Sequence, residues 1–211
     1  METPDVVVVD CGSGNVASVA NLCRFIGVPA ITTDDPQVVS KAGVVVLPGV
    51  GAFDTVARRL REKGLVSALD DAVLERKVPF LGICVGMQIL GAGSDEGVES
   101  GLNWIGGRCV RFQEGDLGDR RIPHIGWNGV KVRHPSGLIP PDMPNSRFYF
   151  VHSYHLVCSD DSVIVATTQY GIEFVSIVRH GNICGVQFHP EKSHKFGAGL
   201  LREFLKSSPA V

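Results

Sequence analysis

The sequence predicts an α/β protein with a doubly wound, mostly parallel sheet, helices on both faces and additional antiparallel strands in the C-terminal half. Three observations support this fold class. Short β-branched runs such as Val6–Val9 have the unbroken apolar character of strands buried on both faces. Segments with apolar residues at helical spacing follow these runs. After Gly91, shorter strand-like segments replace this alternation.

The first half of the chain predicts strands that alternate with helices. Strands are expected at 6–9, 30–32 and 44–47, and in the apolar run that ends at Cys84. A helix follows the first strand, with Asn15 as its N-cap and Gly27 at its end. Further helices are expected from about residue 53 and near 65–74. In a sheet of this kind the functional loops lie at the carboxyl ends of the strands.

The second half predicts shorter, antiparallel elements. Residues 101–139 are rich in loops, with strand candidates near 109–112 and 130–133, and residues 140–144 form a surface loop. Later strands are expected at 147–151, 156–157, 164–168, 174–178 and 183–188, and a closing helix at about 194–205.

Composition narrows the class of protein. The 211 residues predict one domain over 1–211. A net charge of −2 without a basic stretch argues against a nucleic acid partner, and no apolar run is long enough to cross a membrane. Residues 1–5 lack the basic start of a signal peptide. The expectation is a cytoplasmic protein that uses no cofactor.

The cysteines support the same expectation. They are scattered and never form a C-x-x-C pair, which argues against a structural zinc site and a disulfide scaffold. The six are Cys11, Cys23, Cys84, Cys109, Cys158 and Cys184. The thiols are therefore expected to be reduced, and no metal site is predicted.

Cys84 has the surroundings of a nucleophile. Gly82 and Gly86 flank it in a G-x-C-x-G pattern, which is the nucleophile-elbow pattern with cysteine in place of serine. A sharp strand-to-helix turn needs small residues on both sides and places the backbone N–H of Val85 where it can stabilise an oxyanion. The alternative is a buried cysteine between two chance glycines.

A second motif supplies a base and a group that orients it. His189 ends a predicted strand and Glu191 follows two residues later, so both side chains project to the same side of an extended segment. Cysteine, histidine and glutamate together would be a nucleophile, a base and an orienting carboxylate. Taken alone, His189 is equally consistent with a surface histidine beside a solvated glutamate.

A third motif, at the carboxyl end of another predicted strand, is glycine-rich. In Pro48-Gly49-Val50-Gly51 the two glycines permit backbone conformations in which an amide N–H turns toward an oxyanion. The alternative here is an ordinary tight turn.

These motifs, with others in the same order, carry a family resemblance. The chain resembles class I (triad-type) glutamine amidotransferases over essentially its whole length, and within that class the glutaminase subunits of imidazole glycerol phosphate synthase, from histidine biosynthesis. One departure is that small residues, 91–93, follow the elbow helix. The matching segments are GSGN at 12–15, PGVG at 48–51, GICVGMQ at 82–88, PHIGWN at 123–128, YFVHSY at 149–154 and FHPEKS at 188–193.

The resemblance implies a reaction and a partner. Cys84 would attack the side-chain amide of L-glutamine, His189 would transfer protons and Glu191 would orient His189. Ammonia would pass to a separate cyclase subunit, a (β/α)₈ barrel, in a heterodimer. The implied oxyanion residues are Val50, Gly51 and Val85; the implied glutamine-binding residues are Gln88, Glu96, His152, Ser153 and Tyr154; the implied interface residues are Asn15, Trp127 and Lys192.

Two rival interpretations remain. Gly12-x-Gly14-x-x-Ala17 after a strand fits a weak dinucleotide fingerprint, with Asp34 near the position of a ribose-binding carboxylate, but no domain for hydride transfer follows. The other rival is a stand-alone cysteine hydrolase or a non-catalytic relative. The intact Cys84, His189 and Glu191 argue against loss of catalysis.

Overall fold

A computed structural model describes residues 6–134, 137–140, 143 and 145–206. Its strands are β1 (Val6–Val9), β2 (Ile31–Thr33), β3 (Val44–Gly49), β4 (Phe80–Cys84), β5 (Arg108–Arg111), β6 (His124–Gly129), β7 (Lys131–Val132), β8 (Arg147–His152), β9 (Tyr154–Val157), β10 (Ile164–Tyr170), β11 (Ile172–His180) and β12 (Ile183–Val186). Its α-helices are α1 (Val16–Phe25), α2 (Pro36–Val39), α3 (Phe53–Glu62), α4 (Leu65–Asp70), α5 (Val85–Gln88), α6 (Glu114–Leu117) and α7 (His194–Lys206).

The central sheet has the predicted, mostly parallel character. Within the described residues its eight strands lie in the order β2-β1-β3-β4-β12-β11-β10-β7. The first five strands of this order pair in parallel, and β11, β10 and β7 extend the sheet with antiparallel pairs. The helices form two groups, because α1 contacts α7, whereas α2 contacts α4, α4 contacts α3, and α3 contacts α5. The predicted fold class is confirmed.

The core explains why the valine-rich strands fold this way. Every residue of β1, β3 and β4 is buried, so each of these strands removes apolar side chains from water on both faces of the sheet. Strand β2, at the edge of the sheet, is largely exposed, which matches its polar threonines. The buried strands thus form a rigid base beneath the loops at their carboxyl ends.

The predictions for the first half hold with three changes. Helix α1 begins directly after Asn15, but the Asn15 side chain makes no capping hydrogen bond. The helix expected near 65–74 is α4 followed by a π-helical turn, Asp71–Glu75. The short helix α2 was not predicted, although Asp35 caps it by accepting a hydrogen bond from the Gln37 backbone N–H at 2.9 Å.

The second half contains the expected antiparallel strands and one that was not expected. Strand β5 pairs with β9, and β6 pairs with β8. No strand was predicted where β6 lies, because its two glycines and the neighbouring proline are typical of loops. Part of the predicted loop at 140–144 and all of residues 1–5 lie outside the described residues. Among the described residues, no helix has the length and apolar character needed to cross a membrane.

Candidate active site

The carboxyl edge of the sheet brings three predicted motifs together. Strand β4 lies between β3 and β12, and all three run parallel. Gly49 at the end of β3 is the direct partner of Cys84, and Ile83 is the direct partner of Val186. Since β12 leads into His189 within three residues, the topology places the glycine-rich turn and the base on either side of the cysteine.

The turn at Cys84 is the sharp strand-to-helix elbow that the pattern predicts. Cys84 has φ 55° and ψ −110°, a conformation that costs energy for a residue with a side chain, and α5 begins at the next residue. A methyl group on Gly86 would collide with the carbonyl oxygen of Leu47, and one on Gly82 with the carbonyl oxygen of Gly86. A methyl group on Gly49 would lie 2.8 Å from the Gly86 nitrogen. The glycines are therefore a steric requirement.

His189 and Glu191 form a buried pair. Nδ1 of His189 lies 2.8 Å from Oε1 of Glu191, and the two side chains are 2% and 1% exposed. The His189 backbone is fixed by its N–H donating to the Tyr149 carbonyl at 2.9 Å and by its carbonyl accepting from the Ser193 hydroxyl at 2.6 Å. Such burial excludes the alternative of a solvated surface pair.

Electrostatics favour the charged form of this histidine. Burial lowers the pKa of His189, but hydrogen bonds and charge interactions with Cys84 and Glu191 raise that pKa by more, to about 9. The imidazole is therefore protonated at neutral pH and can act as a proton donor. Burial raises the pKa of the five other cysteine thiols, namely Cys11, Cys23, Cys109, Cys158 and Cys184. Those thiols are protonated and poor nucleophiles at neutral pH.

The glycine-rich turn after β3 forms another wall of the site. Gly51 has φ +86°, a left-handed conformation that glycine adopts without strain. The carbonyl of Val50 accepts a hydrogen bond from the Ser13 hydroxyl, so the turn is tied to the loop after β1. Ser13 was not singled out from the sequence as a contact of this turn. The backbone N–H of Val85 lies at the first turn of α5.

A cavity of about 770 Å³ opens at this edge of the sheet. All but two of the residues predicted from the resemblance line it: Asn15, Val50, Gly51, Cys84, Val85, Gln88, Glu96, His152, Ser153, Tyr154, His189 and Lys192. The first exception, Glu191, hydrogen-bonds to the ring of His189, which does line the cavity. The second, Trp127, stacks on His194 with ring centroids 5.5 Å apart and is 39% exposed. Lys192 places its ammonium 5.7 Å from the centre of the Tyr149 ring.

Comparison with known proteins agrees with this geometry. The family model described as "Glutamine amidotransferase class-I" matches residues 7–207. The chain belongs to this family. It is 47% identical to imidazole glycerol phosphate synthase subunit HisH 2 of Methanococcus maripaludis, over 96% of this chain and 100% of that protein. It is 43% identical to the subunit of the same name from Pseudomonas aeruginosa, over 95% of this chain and 98% of that protein.

Solved structures of low sequence identity share the fold of this amidotransferase. The structure of PurLQS from Thermotoga maritima superposes with a TM-score of 0.73 at 18% identity, covering 97% of this chain and 99% of that chain. A crystal structure described as a glutamine amidotransferase gives a TM-score of 0.74 at 18% identity, covering 95% and 97%.

Gln187 is a residue of the amidotransferase site that sequence reasoning missed. Its side chain is fully buried, and its Nε2 lies 3.8 Å from the Cys84 sulfur, within reach of a hydrogen bond to sulfur. Its Oε1 accepts from Nε2 of Gln88 at 3.2 Å. The signal was available, because Gln187 precedes His189 by two residues and side chains two residues apart in an extended segment project to the same side.

Glu96 lines the cavity and also supports its wall. Its Oε2 accepts the backbone N–H of Phe53 at 2.8 Å, which caps the N-terminus of α3. The carboxylate of Asp54 in turn accepts the backbone N–H groups of Val98 and Glu99, each at 3.0 Å. These reciprocal contacts hold the 96–99 loop of the amidotransferase against α3.

The residues of the dinucleotide fingerprint have other contacts in this fold. Asp34 forms an exposed ion pair with Lys63, with 2.7 Å between its Oδ2 and the lysine Nζ. Gly14 packs against the carbonyl of Pro48, where a methyl group would lie 3.0 Å from the oxygen. Across the part of the chain that the structure describes, no cluster of His, Cys, Asp or Glu is arranged to hold a metal ion.

Proposed function

We propose that this chain is the glutaminase subunit of imidazole glycerol phosphate synthase. It hydrolyses L-glutamine to L-glutamate and ammonia and passes the ammonia to a separate cyclase subunit for imidazole ring formation in histidine biosynthesis. The observation that carries the proposal is Cys84 on a strained elbow, beside a buried His189–Glu191 pair, at the wall of one cavity. The names of the curated relatives supply the synthase, and the family resemblance of the sequence supplies the pathway.

The geometry supports a two-step mechanism. With the proton of the Cys84 thiol on His189, the sulfur attacks the side-chain carbonyl carbon of glutamine. The backbone N–H of Val85 and the Val50–Gly51 backbone hold the resulting oxyanion. Protonated His189 gives its proton to the departing ammonia, which leaves a thioester on Cys84. Neutral His189 then takes a proton from water as the water attacks the thioester. The C–S bond breaks, glutamate leaves, and the Cys84 sulfur is free again with the proton on His189.

Polar groups on the opposite side of the cavity would bind the amino acid part of the substrate. Gln88, Glu96 and the backbone of residues 152–154 line it. Both hydrogens of Gln88 Nε2 are used within the protein, on the Tyr154 carbonyl and on Gln187. Gln88 therefore offers its Oε1 to the substrate, as an acceptor for the α-ammonium group. Glu96 retains Oε1 for the same group, since its Oε2 caps α3.

A cyclase of (β/α)₈ form would dock at the mouth of the cavity and complete a heterodimer. Asn15 and Lys192 line that mouth, and the half-exposed Trp127 lies on β6 beside exposed Ile125. Exposed aromatic side chains are enriched at the centre of protein interfaces, which polar groups surround.

We further propose that residues 1–211 form one amidotransferase domain and that it works in the cytoplasm, where its six free cysteines stay reduced.

Docking would also control the rate. Gly49 and Gly51 make the oxyanion turn easy to rearrange, so the free subunit can rest with its donor turned away from the substrate. A ligand-bound cyclase would favour the competent turn. One oxyanion donor is worth roughly two to three orders of magnitude in rate, and the free chain would lack that contribution.

The test compares glutamate release by the free chain, the complex with the cyclase and the ligand-bound complex. Release should be slow from the free chain and roughly a hundredfold or more faster from the ligand-bound complex. Lys192→Ala should reduce that gain without loss of the fold. Lys195→Ala is the matched control, because Lys195 is also exposed but lies outside the cavity lining. Equal turnover in all three states would instead indicate a stand-alone hydrolase.

A further inference from the structure

A chain of hydrogen-bonded polar groups, most of them buried, lies behind the glutamine side of the cavity. It starts on β6 and ends at the nucleophile, and each neighbouring pair in it is joined by a hydrogen bond. Its members are Asn128, His124, His152, the backbone carbonyl of Tyr154, Gln88, Gln187 and Cys84. The two histidines lie directly opposite each other in the pairing of β6 with β8. Neither imidazole has been given a part in the mechanism above.

The direction of the hydrogen bonds follows from one group that can only accept. The carbonyl of Tyr154 lies 2.9 Å from Nδ1 of His152, so this nitrogen must carry the proton. A neutral imidazole has one N–H, so Nε2 of His152 is then an acceptor. It lies 3.1 Å from Nδ1 of His124, which must therefore be the donor. Both rings thus carry their proton on Nδ1.

The far end of the chain sets the same direction independently. Oδ1 of Asn128 accepts the backbone N–H of Gly129 at 2.8 Å, and Nδ2 of Asn128 donates to the Gln169 carbonyl at 3.0 Å. These two backbone contacts fix which end of the amide is the donor. Nδ2 then lies 3.4 Å from Nε2 of His124, which is the acceptor nitrogen of that ring.

The surroundings keep both rings neutral. Burial lowers the pKa of His124 to about 4 and that of His152 to about 3, and nearby cationic or titratable groups add to the effect. His124 stacks on Tyr170, with ring centroids 3.9 Å apart, and on Phe150 at 4.8 Å. The charged and titratable groups that act on the two rings are Arg120, His155 and His189.

We propose that His124 and His152 are positioning residues whose paired Nδ1–H groups fix the Tyr154 carbonyl, and through it Gln88 and Gln187, behind the bound glutamine. Tyr154 O receives one hydrogen from His152 and one from Gln88, so the orientation of the Gln88 amide depends on the histidine pair. Gln88 then orients Gln187, whose Nε2 points to the Cys84 sulfur. The kinetic part of this inference rests on the proposed glutaminase function.

The first experiment reads the tautomers directly and needs no activity. In the intact chain labelled with ¹⁵N-histidine, NMR at pH 7 should show His124 and His152 neutral and protonated on Nδ1, which is the less common tautomer of free histidine. Signals are assigned with the single variants His124→Asn and His152→Asn. An Nε2–H tautomer or an imidazolium at either position overturns the proposal.

The second experiment separates positioning from packing. His124→Asn keeps a donor near the place of Nδ1, whereas His124→Leu has a similar shape without a donor. In the ligand-bound complex, His124→Leu should raise KM for glutamine about fivefold to tenfold, with kcat within about twofold, and His124→Asn should remain close to wild type. Equal KM values in two folded variants overturn the positioning role. If the wild-type complex releases no glutamate, the glutaminase proposal fails, and the NMR result still decides the tautomers.

Discussion

Replacing Glu191 with glutamine tests the buried carboxylate that orients His189. The substitution keeps the size of the side chain and an oxygen that can accept from Nδ1, but it removes the negative charge 2.8 Å from the ring. The side chains of Glu191 and His189 are almost wholly buried, so solvent screens the charge very little. The variant therefore isolates the electrostatic contribution of Glu191.

The expected size of the effect follows from the pKa of His189. A pKa shift from 6.5 to about 9 corresponds to roughly 3 kcal/mol in favour of the imidazolium. Burial lowers this pKa, so the shift is the net result of Cys84 and Glu191 acting against burial. If Glu191 supplies about half of that preference, its loss costs about tenfold in forming the imidazolium, which slows the steps in which His189 takes up a proton. Allowing for poorer orientation of the ring, Glu191→Gln should lower kcat about tenfold to a hundredfold. His189→Ala should cost about a thousandfold or more, because it removes the proton transfers themselves.

Two measurements check this expectation. Glutamate release in the ligand-bound complex gives kcat, and NMR titration gives the pKa of His189, which should fall toward 6.5 in Glu191→Gln. Glu203→Gln is the matched control, because Glu203 pairs with the exposed Lys206 and neither residue lines the cavity. The reasoning fails if Glu191→Gln leaves the pKa of His189 unchanged. It also fails if Glu191→Gln and His189→Ala both lower kcat by an equal and negligible factor, because the pair would then be only structural.

Three further predictions concern the nucleophile, the buried histidines and the elbow. Cys84→Ala should keep the fold and lose several orders of magnitude of glutaminase activity, and mass spectrometry should find a glutamine-analogue electrophile on Cys84 and on no other thiol. Because the folded-state pKa of His124 is lowered to about 4, stability should fall as the pH drops from 6.5 toward 4, and His124→Asn should weaken that dependence in urea titrations. Gly86→Ala should fail to fold because its methyl group would meet the Leu47 carbonyl. Gly115→Ala should be tolerated in the same solubility and thermal-melt assays, since nothing lies within 4 Å of its added methyl group.

The parallel half of the fold was predictable because its signals are local. A run such as Val44–Leu47 is uniformly apolar, and a glycine-rich turn follows it. The strand, its carboxyl end and the turn can therefore be predicted from a few neighbouring residues. The same applies to the elbow around Cys84, where steric demands leave only glycine at two positions. The contact of His189 with Glu191 was predicted correctly but for the wrong reason, because Pro190–Lys192 form a 3₁₀ turn and not the extended segment that the two-residue period assumes.

The rest of the site depends on pairings between distant segments. His124 and His152 lie opposite each other only because β6 pairs with β8, and β6 was not recognised as a strand. The contact of Ser13 with Val50 joins loops 37 residues apart, and Gln88 meets Gln187 across 99 residues. Periodicity and spacing describe neighbours along the chain, so contacts of this kind have no local signal.

The same glycine contacts also limit how the oxyanion turn can rearrange. Gly49 packs so closely on Gly86 that β3 and the elbow helix cannot slide past each other without moving Cys84. A change between resting and competent forms is therefore confined to the peptides after Gly49, which are the Val50–Gly51 segment tied to Ser13. That confinement lets a cyclase act on the oxyanion donor while the nucleophile and the His189–Glu191 pair keep their places. It predicts that cyclase binding changes the rate of glutamate release with little change in the pKa of His189, since Cys84 and Glu191 stay beside the ring in both forms.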